Sequence, residues 1–265
     1  MLETYIRNRH KKKDLLLMTH IVMGYPSFDA CHDIIDQMVA AGVDLMELQI
    51  PFSEPMADGP VILKANQSAL ERGATVAKCL AFAKDVAARY PIPFLFMTYA
   101  NIPFKFGLTA FARTTADIGL TGAIVPDLPM EEGAEYIQAM QENHLSPIQM
   151  YSPSTSDARM AKIAAIASGF IYCLARKGVT GADTDLSDDL TQYLARCRKA
   201  ASVPLAVGFG IKDKADMDFL RGKAEIAVIG PVSCCLKHAT QNQSGFIWRL
   251  VGWMAPASFR PGAVS

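Results

Sequence analysis

Short apolar runs alternate with longer segments of helical spacing from one end of the chain to the other. The runs cover residues 15–22, 43–49, 93–98, 122–125, 146–151, 170–175, 204–207 and 225–229. They read as nearly continuous apolar strings with little in/out alternation, the pattern of parallel strands covered on both faces. Between them, apolar residues recur at three and four positions. In 30–41 these are Ile34, Ile35, Met38 and Val39; in 77–88 they are Leu80, Phe82 and Val86. Residues 132–143, 157–167, 186–200 and 212–222 behave likewise, and all six segments are predicted helices. Ser27, Ser154 or Ser156, and Ser187 stand where helix N-caps belong. Residues 1–14 read as an N-terminal helical extension, and residues 256–265, rich in Pro, Ala, Ser and Gly, as a frayed tail.

Eight strands alternating with helices in 265 residues have the rhythm of an α/β protein of the (β/α)8 TIM-barrel type, a single domain spanning 1–265. A doubly wound open sheet is the competing fold. It predicts Gly-x-Gly-x-x-Gly after the first strand, which Val22-Met23-Gly24-Tyr25-Pro26 does not supply.

Composition narrows the function classes. Lys plus Arg total 26 and Asp plus Glu total 26, so there is no broad basic surface for nucleic acid. A 51% hydrophobic and 20% charged chain can bury a large core, which excludes disorder as the main description. The six cysteines (Cys31, Cys79, Cys173, Cys197, Cys234, Cys235) form no Cys-x-x-Cys pair and read as small buried hydrophobes in a reducing compartment. Residues 7–13 are basic and 15–23 apolar, as in a signal peptide, but no small-residue cleavage site follows and the run ends in a turn. No run reaches the ~18 apolar residues of a membrane span. A cytoplasmic location is expected.

In a barrel, chemistry sits at the C-terminal ends of the strands. Glu47 lies inside the apolar second strand, flanked by Leu45, Met46, Leu48 and Ile50. A carboxyl buried there is expensive to ionise, so its pKa is expected to rise toward the range of a proton-transfer catalyst. The alternative is a core glutamate satisfied by a neighbouring strand or helix. Asp58 follows in a loop stiffened by Pro51, Pro55 and Pro60, either as a presented carboxylate or as a turn former before Gly59. After strand 6, Gly178 and Gly181 suit a closing loop. Gly208-Phe209-Gly210 after strand 7 and Gly230 after strand 8 stand where many barrels hold phosphate through backbone N–H groups. His10, His20, His32, His144 and His238 lack metal-ligand spacing, and no metal is expected.

These residues also carry a family resemblance. The segment from Met46 to Pro60, Met-Glu-Leu-Gln-Ile-Pro-Phe-Ser-Glu-Pro-Met-Ala-Asp-Gly-Pro, resembles the strand 2 signature of tryptophan synthase α chains. Tyr99-Ala100-Asn101, Pro126-Asp127-Leu128-Pro129, Gly178-Val179-Thr180-Gly181-Ala182 and Gly208-Phe209-Gly210-Ile211 match further family segments in the same order. The resemblance implies a retro-aldol cleavage of indole-3-glycerol phosphate to indole and glyceraldehyde 3-phosphate, with no cofactor in this chain. It also implies an α2β2 heterotetramer with a pyridoxal-phosphate β chain that makes tryptophan. Glu47 would be the general acid/base, and Asp58 would accept the indole N–H. Tyr172 and Thr180 would line the site, Thr180 bonding Asp58 on loop closure, with Tyr99, Met97, His20, Gln49 and Phe209 in the substrate pocket. Gly181, Gly210 and Gly230 would offer N–H groups to the phosphate, and Glu54 and Pro55 would face the β chain.

Four positions depart from the family pattern besides Glu54 for Asp. Pro231 replaces a phosphate-contacting serine, removing both an N–H and a hydroxyl. Gln49 replaces a glycine on the same strand face as Glu47, and is expected to intrude on the pocket or to hydrogen-bond Glu47. His20 and Met97 replace apolar residues usual at the indole pocket. Two readings follow: a working lyase, or a catalytically impaired α chain that mainly binds and activates its β partner. An unrelated phosphate-binding barrel would leave the strand 2 motif unexplained.

Overall fold

All eight apolar runs form strands, and their parallel pairing explains why the runs show so little alternation. In the computed structural model, residues 1–175, 188–208 and 214–230 are described. The strands are β1 (Leu16–Val22), β2 (Leu45–Gln49), β3 (Phe94–Met97), β4 (Gly122–Ile124), β5 (Ser146–Tyr151), β6 (Ile171–Leu174), β7 (Leu205–Gly208) and β8 (Ile226–Ile229). They pair in sequence order, β8 returning to β1, in a closed parallel barrel. Leu16, Met18, Leu45, Leu95, Ile124, Ile148, Ala206, Ile226 and Val228 share the buried interior cluster. Residues of opposite parity, such as Leu17, Met46, Leu48, Phe96, Ala123 and Val207, pack outward under the helices. Both faces of six strands are therefore buried, β5 and β6 keeping partly exposed positions, and the period of two is masked.

The helices are α1 (Leu2–His10), α2 (Phe28–Ala40), α3 (Pro60–Glu71), α4 (Val76–Arg89), α5 (Asn101–Phe106), α6 (Leu108–Asp117), α7 (Ala134–Glu142), α8 (Asp157–Ile166), α9 (Asp188–Ala200) and α10 (Lys214–Leu220). Ser27 caps α2 by accepting from the Ala30 N–H, and Ser156, not Ser154, caps α8 by accepting from the Arg159 N–H. The Ser187 cap and the expected frayed tail at 256–265 lie outside the described residues. Three helices, α3, α5 and α6, fall in stretches for which no helix was predicted. Cys31, Cys79, Cys173 and Cys197 are buried and unpaired, as expected; Cys234 and Cys235 lie outside the described residues. Among the described residues, no helix is long and apolar enough to cross a membrane.

The N-terminal extension closes one mouth of the barrel. Leu2 and Ile6 of α1 enter the interior cluster. Asp44, just before β2, is fully buried and anchors the segment that follows α1. Its Oδ1 accepts from Arg9 Nε (2.8 Å), and its Oδ2 accepts from Lys13 Nζ (2.5 Å) and the Leu17 N–H (2.9 Å). With that end covered by packing and charge pairing, the C-terminal mouth is where a barrel of this kind holds its ligand.

Candidate active site

Strand parity decides which polar side chains reach the open mouth. Glu47 stands beside His20 of β1 and Leu95 of β3, and Gln49 beside Val22 and Met97. Glu47 and Gln49 are two positions apart on one strand and so face the same side. Glu47 is buried, and its Oε1 has no hydrogen-bond partner. Burial, helped by the nearby charge of Asp58, pushes its carboxyl up to about 8. The alternative of a core glutamate satisfied by its neighbours is thereby set aside for this oxygen.

Asp58 is brought to the same place by a loop pinned at several points. Asn66 of α3 accepts from the Phe52 N–H through Oδ1 (2.9 Å) and donates to the Ile62 carbonyl (2.9 Å). The Tyr99 hydroxyl, at the end of β3, accepts from the Ala57 N–H (3.1 Å), and its ring stacks on Phe52 with centroids 5.3 Å apart. The Asp58 N–H donates to the Pro55 carbonyl (2.9 Å). Gly59 and Pro60 then start α3, Pro60 needing no N–H partner in the first turn. Asp58 is thus more than a turn former. Burial raises its carboxyl, while hydrogen bonds from Gln49 and Tyr99 favour its ionised form.

Of the two expectations for Gln49, the hydrogen bond to Glu47 is not formed. Its Nε2 donates to Asp58 Oδ2 (2.6 Å), with a longer contact to Asn66 Oδ1 (3.5 Å), and not to Glu47. The loop carboxylate comes within reach of the amide, whereas Glu47, on the same strand, projects alongside it. His20 is buried, and burial lowers its imidazole to about 4, the neighbouring Gln49 opposing, so it is neutral near pH 7. Met97 and Tyr99 belong to the interior cluster, with Tyr172 packed against it. The Tyr172 phenol is held well above its ordinary value by burial and by the charges of Glu47 and Asp58. Its ring occupies the space that a Cβ at Gly208 would need, so glycine at the end of β7 lets the tyrosine lie over the site.

The rest of the expected set is partly placed. Gly230 is exposed at the end of β8. Thr180, Gly181, Phe209, Gly210 and Pro231 lie outside the described residues, as does Gly178. Glu54 is exposed, but Pro55 is buried against its own chain, so the outward faces of this loop are Ser53, Glu54 and Met56. Two residues were missed. Asn66 is the polar member of the otherwise apolar buried set Ile62, Ala65, Asn66 and Ala69 on α3, a signal visible once that helix is recognised. Asp127, within the quoted Pro-Asp-Leu-Pro segment, accepts from the Ala100 N–H (2.9 Å) and ties the β3 and β4 loops together.

The arrangement presents two carboxyl groups in different surroundings at one barrel mouth, Glu47 with a bare oxygen and Asp58 with donors. A protonated Glu47 can give a proton, and an ionised Asp58 can accept a hydrogen bond or stabilise a cation. Among the described residues, no group of three or more His, Cys, Asp or Glu side chains is placed to hold a metal ion.

Comparison with known proteins gives this geometry a context. A profile described as "Tryptophan synthase alpha chain" matches residues 6–246. The tryptophan synthase alpha chain of Desulforapulum autotrophicum is 62% identical over 230 residues, 87% of this chain and 91% of that one. That of Syntrophotalea carbinolica is 61% identical over 230 residues, with the same coverage of 87% and 91%. Among solved structures, a chain of Mycobacterium tuberculosis tryptophan synthase superposes with a TM-score of 0.88 at 27% identity, covering 97% of this chain and 98% of that one.

Proposed function

The chain belongs to the tryptophan synthase alpha chain family, whose members cleave indole-3-glycerol phosphate to indole and glyceraldehyde 3-phosphate, and we propose that Glu47 and Asp58 carry that cleavage here. The observation that supports this most is the buried Glu47 carboxyl, one oxygen of which has no partner, pushed up to about 8 by burial and the nearby Asp58.

Glu47 starts protonated. It delivers its proton to the indole carbon that bears the glycerol chain, and Asp58, accepting the indole N–H, stabilises the cation that forms. The Glu47 carboxylate then removes the proton of the adjacent glycerol hydroxyl. The carbon–carbon bond breaks, its electron pair returns to the indole ring, and the new carbonyl leaves as glyceraldehyde 3-phosphate. Glu47 is protonated again, so the cycle closes without an external acid, base or cofactor. Tyr172, Tyr99 and Met97 supply the apolar walls, with His20 as a neutral neighbour. Thr180 and Phe209 complete the pocket, while Gly181, Gly210 and Gly230 offer N–H groups to the phosphate.

The β chain of tryptophan synthase is the partner we propose, in an α2β2 assembly in the cytoplasm, pyridoxal phosphate belonging to the β chain. Glu54 and the 74% exposed Met56 stand on the β2 loop, and Phe104 (53%) and Phe106 (37%) are exposed on α5. Exposed apolar side chains on the β2 loop and on α5 suit a protein partner covering them.

The test is indole release from indole-3-glycerol phosphate with the β chain present, alongside the β chain's indole-plus-serine rate with and without this chain. Release that disappears in Glu47→Gln while activation of β persists is expected. Strong activation without any release by the wild-type chain would overturn the assignment of Glu47 and Asp58.

A further inference from the structure

Gln49 is the least expected residue in the site, and its surroundings are informative. Its side chain is wholly buried, and its Nε2 sits 2.6 Å from Asp58 Oδ2, shorter than the usual contact of about 2.7–2.9 Å between an N–H donor and a carboxylate. The second contact of Nε2, 3.5 Å to Asn66 Oδ1, comes from an oxygen already fixed by the Phe52 N–H. The donor end of the amide is therefore turned to the loop. Its Oε1 is buried near the imidazole of His20 but makes no hydrogen bond of ordinary geometry. An apolar side chain would avoid the cost of that bare oxygen, so the amide's retention points to its donor.

We infer that Gln49 is a positioning residue that holds the Asp58 carboxylate in its ionised, substrate-accepting orientation from the rigid wall of the barrel. The loop bearing Asp58 is otherwise tied down through Phe52, Ala57 and the Asp58 N–H, and the carboxylate itself is shared between Gln49 and the Tyr99 hydroxyl, which stands on the same loop contact. Gln49 reaches it from β2, a strand hydrogen-bonded on both sides. Its bond is made to Oδ2. A glycine at 49, the residue usual in the family, has nothing to reach Asp58 with. This chain thus carries a donor for that carboxylate on strand β2. The inference rests on the assignment of Asp58 made above.

The titratable groups around Asp58 are Glu47 on β2, His20 on β1, Tyr99 at the end of β3 and Tyr172 on β6, with Asp127 acting on Tyr99 from the β4 loop. His20 is neutral near pH 7 and both phenols are held protonated, so Asp58 and Glu47 are the groups of this set that set the pH profile of the reaction.

The test compares wild type with Gln49→Met, which keeps the volume and removes the donor, and with Gln49→Gly. Steady-state indole release is measured across the acid limb in the presence of the β chain. Thermal midpoints are recorded beside it, so that a loss of folding is recognised. Loss of one charge-assisted donor is expected to lower kcat/KM about 10- to 100-fold, mostly through kcat. The acid limb should move to higher pH, because Asp58 then binds its proton more tightly. Should Gln49→Met not fold, the glycine variant alone decides. An unchanged kcat and acid limb overturns the inference, and so does a faster glycine variant, which would show the amide to be an obstruction. Asp58→Asn run in parallel separates the two levels. If it retains wild-type release, the assignment of Asp58 itself fails. If it loses release while the Gln49 variants keep theirs, only the role of Gln49 fails.

Discussion

Asp44 and Glu47 are buried carboxyl groups three positions apart, and they lie at opposite mouths of the barrel. Asp44 receives Arg9, Lys13 and the Leu17 N–H, so both its oxygens are hydrogen-bonded. Glu47 has an oxygen with no partner, and burial with the Asp58 charge pushes it up to about 8. The same functional group is a fastener where cations surround it and, in the role proposed for Glu47, a proton carrier where they do not. Exposure alone does not separate the two residues. What differs is the company each strand end keeps.

Removing the proton carrier should have the largest effect. Glu47→Gln is expected to lower indole release by about 10²- to 10⁴-fold, the usual contribution of a general acid/base. Its effect on stability runs the other way. The folded-state value of about 8 lies above the ordinary 4.5, so between these pH values the unfolded chain has released a proton that the folded chain keeps. Stability should therefore fall as pH rises through that window, by up to about 1.4 kcal/mol per pH unit, and the glutamine variant should lack that slope. Urea denaturation of both proteins at the two ends of the window checks this. Equal slopes would mean that Glu47 is better solvated than its surroundings indicate.

Asp44→Ala is the matching experiment at the sealed mouth. It strips two cations and a buried backbone N–H of their acceptor, and should cost about 3 kcal/mol, the lower end for a broken buried pair since Arg9 and Lys13 are partly exposed. That corresponds to a thermal midpoint lower by roughly 6–12 °C. Below that midpoint, kcat should stay at the wild-type level. A large fall in kcat would erase the distinction between the mouths. Gly208→Ala lies between these extremes. The added methyl collides with the Tyr172 ring, and overpacking of this kind costs about 1–3 kcal/mol. Displacement of the ring should also lower kcat/KM, which the indole assay detects.

How much of this was legible in the sequence depended on which signal each element used. The strands were readable because burial on both faces produces unbroken apolar runs. Helix α6 was readable in principle, since Leu108, Phe111, Ala112 and Thr115 follow helical spacing, yet it stands beside the short α5 and the pair reads as one irregular loop. Helix α3 was masked by the proline-rich loop before it and by the small residues Ala65 and Ala69 on its buried face. Glu47 stood out because a charge within an apolar run has few explanations. The part played by Gln49 was not legible. A hydrogen bond to Asp58 depends on how a nine-residue loop folds back, and nothing in local spacing specifies that.

The smallest expected effect sharpens the account of the sealed mouth. Lys13 donates to Asp44 Oδ2 and to the Gly42 carbonyl (2.9 Å), and burial lowers its pKa against the pull of Asp44. In Lys13→Met, Asp44 keeps Arg9 and the Leu17 N–H, so both oxygens remain hydrogen-bonded and the loss should be only about 1 kcal/mol. The sign should change in the Asp44→Ala background. There Lys13 is a partly buried ammonium without its counter-charge, and replacing it by methionine removes that cost while keeping the apolar stem. A double-mutant cycle by urea denaturation should therefore give Lys13→Met as destabilising alone and neutral or stabilising beside Asp44→Ala. If the lysine contributes equally in both backgrounds, its value comes from Gly42 and packing, and the charge pairing at this mouth reduces to Arg9.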